Sequence, residues 1–193
     1  STLLYQIFEG AGRDTGLIGT IETRIGSEAF TSTRTTPEAP ELQALAAVMR
    51  ERHMRHLVME VSSHALSMNR VKASHFAMVG FTNLSQDHLD FHKDMESYFR
   101  AKASLFSYEY ADFGFINIDN EYGARLATEC QIPVATLSRS NPVAQWHFTQ
   151  IHPISSGAEI SIRGNGGILI ESKTSLLGGY NLDNLLMAVA IAY

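Results

Sequence analysis

The sequence holds one cysteine, Cys130, among its 193 residues. No disulfide can form within the chain, and a lone thiol favours a reducing compartment such as the cytoplasm. No Lys/Arg cluster stands out, and the formal net charge is −5. Non-specific binding to nucleic acid or to an anionic membrane is therefore not the default expectation. No apolar run approaches the roughly 20 residues that span a bilayer. The first residues lack the basic stretch of a secretion signal. No internal repeat and no low-complexity segment is apparent. A complete phosphate-loop motif, G-x-x-x-x-G-K-[ST], is also missing.

What is present is ordinary for a globular protein: 45% hydrophobic and 18% charged residues. The length suits one domain, residues 1–193, with a sizeable core. The chain opens directly in a helical pattern, "STLLYQIFEGAG", and closes inside another, "NLDNLLMAVAIAY". Apolar helix ends need partners, so the sequence reads as a piece of a larger protein.

Between the ends, short apolar runs alternate with helical patterns. "TGLIGTIETRI", "HLVMEVS", "HFAMVGFTNLS", "FGFINID" and "PVATLS" read as strands, and "IGSEAF" as a turn with a return strand. "TTPEAPELQALAAVMRER", "MESYFRAKASLF" and "NEYGARLATEC" read as helices. In the first of these Thr36 suits the N-cap and Pro37 the first helical position. The alternation predicts an α/β fold with a mostly parallel sheet and helices on both faces. Residues 143–176 break the rhythm. Their alternating pattern and the turn "GNGG" predict an antiparallel hairpin appendage.

Ligands in parallel sheets bind beyond the carboxyl ends of the strands. The polar residues there are Glu60, Ser62, Ser63 and His64 in "EVSSH". "TNLSQDHLDFH" supplies Thr82, Asn83, Asp87, His88, Asp90 and His92, and "NIDNE" supplies Asn117, Asp119 and Glu121. They could form a metal or catalytic site, or be solvated loop residues. Glu60 is the sharpest candidate, because a carboxylate inside "LVMEV" is costly unless paired or bound to a cation, the alternative being an exposed glutamate on an edge strand. His88 and His92 have the spacing of a metal pair. Without a cysteine cluster, oxygen ligands and Mg²⁺ suit the chain better than structural zinc. "RTTPE" sets Thr35 and Thr36 at a helix start, where an anion or simple capping fits. "GGYNLDN" does the same for Asn181 and Asn184, with Asn181 a candidate N-cap. Arg70 could meet an anion or lie on the surface. Lys102 falls on the apolar stripe of its helix with Tyr98, Phe99, Leu105 and Phe106, where a lysine can extend its head to water.

Taken in order, "GLIGTIETRI", "TTPEAPELQ", "MEVSSHALSMNRV", "FTNLSQDHLDFHKDMESYFRAKASLF", "NIDNEYG" and "GGYNLDN" resemble the central domain of the Mur ligases over nearly the whole chain. The resemblance implies an ATP-binding, P-loop-like α/β domain. It implies an ATP-dependent ligase that adds a diamino acid to UDP-N-acetylmuramoyl-L-alanyl-D-glutamate through an acyl phosphate, in peptidoglycan synthesis. It implies ATP and Mg²⁺, small-molecule partners only, no nucleic acid or membrane, and a cytoplasmic monomer.

Carried over by position, Glu60 matches a Mg²⁺-holding carboxylate and His88 a histidine beside metal and phosphate. Thr35, Thr36, Ser62 and Arg70 match contacts to the muramoyl substrate. Asn181 and Asn184 match asparagines on the nucleotide side. Lys102 matches a lysine carbamylated by CO₂, whose carbamate places a second Mg²⁺. The family's phosphate loop would lie just before Ser1, so the chain alone is expected to hydrolyse ATP poorly. Met68 and Arg34 depart from the residues of some relatives. Folylpolyglutamate synthase, a degenerate nucleotide-sugar-binding module, and a metal-dependent hydrolase using Glu60, His88 and Asp90 are the competing readings.

Overall fold

The computed structural model describes residues 1–86 and 91–193, so Asp87, His88 and Asp90 lie outside the described residues. The chain divides into two compact units. One is Ser1–His75, Gln86–Leu105 and Ala192; the other is Phe76–Ser85, Phe106–Ile191 and Tyr193.

In the first unit, helix α1 (Thr2–Gly10) precedes strands β1 (Thr15–Ile18), β2 (Glu22–Ile25) and β3 (Glu28–Thr31). Helix α2 (Ala39–Glu51), strand β4 (His56–Met59) and helix α3 (Ser63–Ser67) follow. Helix α4 (Met95–Ala103) belongs to the same unit and packs on α3. The sheet order is β3-β2-β1-β4, with β1 and β4 parallel and the other pairs antiparallel. The run "TGLIGTIETRI" thus makes two strands and a turn at residues 19–21, not one strand. The parallel pair needs a crossover, which α2 supplies. Met49 of α2 packs directly on Gly16 of β1, where a side chain would collide with it. Tyr5, Leu17 and Val58 form a core to which Leu4 and Phe8 add.

Helix α2 starts at Ala39, later than capping signals suggest. Glu38 is the N-cap residue, and proline occupies one of the first two helical positions. Thr36 is 1% exposed and serves other partners, described below.

The second unit has strands β5 (Phe76–Phe81), β6 (Ala111–Asn117) and β7 (Val134–Ser138) and helix α5 (Glu121–Glu129). Strands β8 (Trp146–Ile154), β9 (Gly157–Arg163) and β10 (Leu169–Thr174) and helix α6 (Gly179–Ala192) complete it. The order is β10-β9-β8-β7-β6-β5. The pairs β5–β6, β6–β7 and β7–β8 are parallel, and β8–β9 and β9–β10 antiparallel. The expected α/β class, parallel strands and antiparallel addition are all present. The turn from β9 to β10 uses Gly166 and Gly167 at φ 72° and 84°, the left-handed region that glycine enters without steric cost. Leu182, Leu186 and Met187 of α6 share one core with Phe115, Leu137 and Trp146.

Candidate functional site

Two polar clusters sit just beyond strand carboxyl ends, one in each unit. In the first unit, Glu60 directly follows β4. Its main-chain N–H donates to Ile18 O at 2.9 Å, which holds its carboxylate beside the turn after β1. The Thr20 N–H and hydroxyl donate to Glu60 Oε2 at 3.1 and 2.5 Å, and the Ser1 hydroxyl donates to Oε1. Burial alone would push this carboxyl up. The hydrogen bonds from Ser1 and Thr20 outweigh it and hold the group below the usual range.

The Thr20 hydroxyl also lies 3.1 Å from that of Thr35. Thr36 donates to Glu60 O at 2.8 Å and accepts from the Ser62 N–H at 3.0 Å. It therefore ties the segment before α2 to the end of β4 and caps no helix. Ser62 is itself the N-cap of α3, its hydroxyl oxygen accepting from Ala65 N–H at 3.2 Å. Arg70 is only 13% exposed in its side chain, so it is no surface arginine. It donates to Thr36 O at 3.2 Å and pairs with Glu38 at 3.0 Å, a carboxylate shared with Arg34 at 2.9 Å. Glu60, Thr35, Thr36, Ser62 and Arg70 are thus linked by hydrogen bonds within one unit.

His92 is buried, with Nε2 2.9 Å from the Ser63 hydroxyl and its ring stacked on Tyr98 at 4.9 Å. That packing gives His92 a structural place beside α3. Lys102 is half-buried on α4, its Nζ 5.4 Å from the centre of the Tyr98 ring.

In the second unit, Asn117 Oδ1 accepts from the Asp119 N–H at 2.8 Å. Asp119 accepts from the Ser138 hydroxyl and, at 2.8 Å, from the Arg139 N–H. Arg139 Nη1 reaches Asp183 Oδ2 on α6 at 3.5 Å. Asp183 Oδ1 is buried without a hydrogen-bond partner. Burial pushes the Asp183 carboxyl up; Arg139 opposes that shift and Asp119 adds to it. Asn181 lies inside α6, after the N-cap residue Gly178, and its amide donates to Leu177 O at 2.7 Å. Asn181 and Asn184 are both exposed.

The residues present fit a magnesium ion. Glu60 and the hydroxyls around it are all hard oxygen donors. Among the described residues no three His, Cys, Asp or Glu side chains form a metal cage. Mg²⁺ is commonly held in this way, by one or two carboxylates with waters and substrate phosphates completing its shell.

A family model described as the Mur ligase middle domain matches residues 1–192. The chain belongs to the Mur ligase family. It is 47% identical over 178 residues to the UDP-N-acetylmuramoyl-L-alanyl-D-glutamate–2,6-diaminopimelate ligase of Streptomyces coelicolor, covering 92% of this chain and 35% of that protein. It is 44% identical over 190 residues to a UDP-N-acetylmuramyl-tripeptide synthetase of Leifsonia xyli, covering 98% of this chain and 37% of that protein. A solved structure of a diaminopimelate ligase shares the fold at a TM-score of 0.85 and 24% identity, over 99% of this chain and 39% of that one. The chain spans little more than a third of the length of these relatives.

Sequence reasoning did not single out Thr20, Ser138, Arg139 or Asp183, which the structure brings into the two clusters. Thr20 was within reach of the strand-end rule, since it lies just past β1. Asp183 carried no signal, because an acidic residue near a helix start is ordinary.

Proposed function

We propose that this chain is the central domain of an ATP-dependent ligase. Its reaction adds a diamino acid to UDP-N-acetylmuramoyl-L-alanyl-D-glutamate, a step of peptidoglycan synthesis. One observation carries the reading: a half-buried Glu60 carboxylate, kept ionised beyond β4 by Thr20 and Ser1, in a Mur ligase middle domain. The names of the Streptomyces and Leifsonia relatives support this substrate class.

The chemistry requires two anions to meet. The substrate carboxylate attacks the γ-phosphate of ATP, ADP leaves, and an acyl phosphate results. The amine of the incoming diamino acid then displaces phosphate to form the amide. Phosphoryl transfer of this kind is governed by positioning and charge neutralisation. Mg²⁺ held by Glu60 would neutralise phosphate charge, and His88 is assigned to the same chemistry on the family resemblance. Thr35, Thr36, Ser62 and Arg70 are assigned to the muramoyl substrate. Thr36 acts by fixing the backbone around it, since its hydroxyl is already engaged within the chain, and Arg70 braces Thr36 O and Glu38 while its buried Nε has no partner among the described residues. Asn181 and Asn184, exposed at the start of α6, are assigned to the nucleotide. Lys102 is assigned the carbamate: its neutral amine takes up CO₂, loses a proton and becomes an anion able to hold a second Mg²⁺. The working protein is placed in the cytoplasm as a monomer.

The test is an amide-ligation assay on the full-length protein. It receives UDP-N-acetylmuramoyl-L-alanyl-D-glutamate, ATP, Mg²⁺ and either meso-diaminopimelate or L-lysine. ADP release that depends on both acceptor and amino acid is expected. No ADP release with either amino acid sinks the reading. Turnover of a folate instead would favour the folylpolyglutamate alternative.

A further inference from the structure

We propose that Arg139 is a positioning residue for the nucleotide: it locks the first turns of α6, which carry Asn181 and Asn184, onto the ends of β6 and β7. The inference rests on the assignment of those two asparagines to the nucleotide.

Helix α6 begins with one side-chain bond from its own first turn, the Asn181 amide donating to Leu177 O at 2.7 Å. Its N-cap residue Gly178 makes no side-chain capping bond and has φ 86°, and Gly179 follows. Two successive glycines form a joint with much backbone freedom. Arg139 closes that joint. Its main-chain N–H is fixed to Asp119, which the Ser138 hydroxyl also holds, so its own backbone is anchored to both strand ends. Its guanidinium reaches Asp183 and lies directly against the Gly179 α-carbon, where a methyl group would collide with Nη1.

The geometry of the helix makes the arrangement useful. Residues 181 and 184 lie on one face, as residues three apart do, and both stay exposed. Residue 183 is turned away from that face, so it can be gripped without covering Asn184 or the remaining hydrogen-bonding groups of Asn181, whose amide already donates to Leu177 O. The glycine pair supplies room for the guanidinium, and the Arg139–Asp183 pair removes the freedom that those glycines introduce.

The test compares Arg139→Ala, Arg139→Lys and Gly179→Ala in the full-length protein. The Kd for ATP with Mg²⁺ is measured by calorimetry without other substrates, followed by kcat and the KM of each substrate. Arg139→Ala should weaken ATP binding roughly tenfold and raise its KM in step, with kcat and the muramoyl-substrate KM changed by less than about twofold. Arg139→Lys should recover most of the loss, since an ammonium can still reach Asp183. Gly179→Ala should reproduce the Arg139→Ala effect, because its methyl displaces the guanidinium while alanine favours the helix.

Unchanged ATP binding in Gly179→Ala and in a folded Arg139→Ala overturns the proposal. So does a rise in every KM together, which would signal a general structural defect. If Arg139→Ala does not fold, Gly179→Ala decides. A wild-type protein that binds ATP but ligates nothing defeats the ligase reading, while its Kd still judges Arg139. A wild type that does not bind ATP defeats the inference together with the nucleotide assignment.

Discussion

Thr36 shows how much one hydroxyl can hold. At 1% exposure it satisfies both the Glu60 carbonyl and the Ser62 N–H. Thr36→Val keeps the shape and strands both main-chain groups. Each buried orphan costs about 1–3 kcal/mol, so a loss of about 2 kcal/mol or more is expected in chemical denaturation. A loss below about 0.5 kcal/mol would contradict this bonding. Glu60 gives a pH signature. Its carboxyl has a lower pKa folded than unfolded, because hydrogen bonds from Ser1 and Thr20 outweigh burial. Its contribution is therefore complete above the usual carboxylate range and is lost as pH falls through the depressed folded value. Glu60→Gln should lower stability at neutral pH and converge with the wild type in acid; profiles that stay parallel throughout would rule this out. For Lys102, the carbamate assignment predicts that Lys102→Ala in the full-length enzyme abolishes ligation, with partial rescue by added short carboxylates. Near-normal activity would leave Lys102 a packed helix residue beside Tyr98. Glu60 and Lys102 were conspicuous in the sequence because each breaks an apolar pattern. Thr20 and Arg139 break none. Thr20 meets Glu60 across 40 positions of sequence, a proximity that folding alone creates.

At the scale of elements, two helix glycines predict opposite outcomes. Gly123 of α5 is pressed on the Asn117 carbonyl at the end of β6, and a methyl group there has no space. Its neighbour is backbone, which yields poorly, so Gly123→Ala should destabilise by about 1–3 kcal/mol despite the better helix propensity of alanine. Gly10, the last residue of α1, has nothing within 4 Å of an added Cβ. Gly10→Ala should stabilise by up to about 1 kcal/mol. Thermal melts of both variants check the signs, and matching signs would refute the packing account. The strands and most helices could be read from periodicity, because burial imposes that pattern on the sequence. The starts of α4 at Met95 and α5 after Asn120 could be read as well, but those of α2 and α6 could not. Capping rules are local, whereas Thr36 is recruited by Glu60 and Ser62 from distant segments, and α2 therefore begins at Ala39. The start of α6 was misplaced for a related reason: Gly178, with no side chain to signal a cap, precedes Asn181.

At the scale of the whole molecule, the chain alternates between its units: it leaves the second after β5 and returns to it before β6. The lone tryptophan, Trp146, is 4% exposed in the core of the second unit, so its emission reports that unit. No helix among the described residues is long and apolar enough to cross a membrane. The change from parallel to antiparallel pairing at β8 has a kinetic consequence. Strands β8, β9 and β10 are sequence neighbours joined by tight turns, so they can zip together within microseconds of meeting. The β5–β6 pair must wait for the connection from Phe81 to Ala111, with α4 inside it, to be brought into place. Loop closure of that kind slows folding. Pulsed hydrogen exchange during refolding should therefore protect the amides of β9 and β10 before those of β5 and β6, and the reverse order would refute it. Strands β8, β9 and β10, which carry none of the assigned site residues, are then the first of the second unit to assemble, and the end of β6, beyond which Asp119 anchors Arg139, is set later.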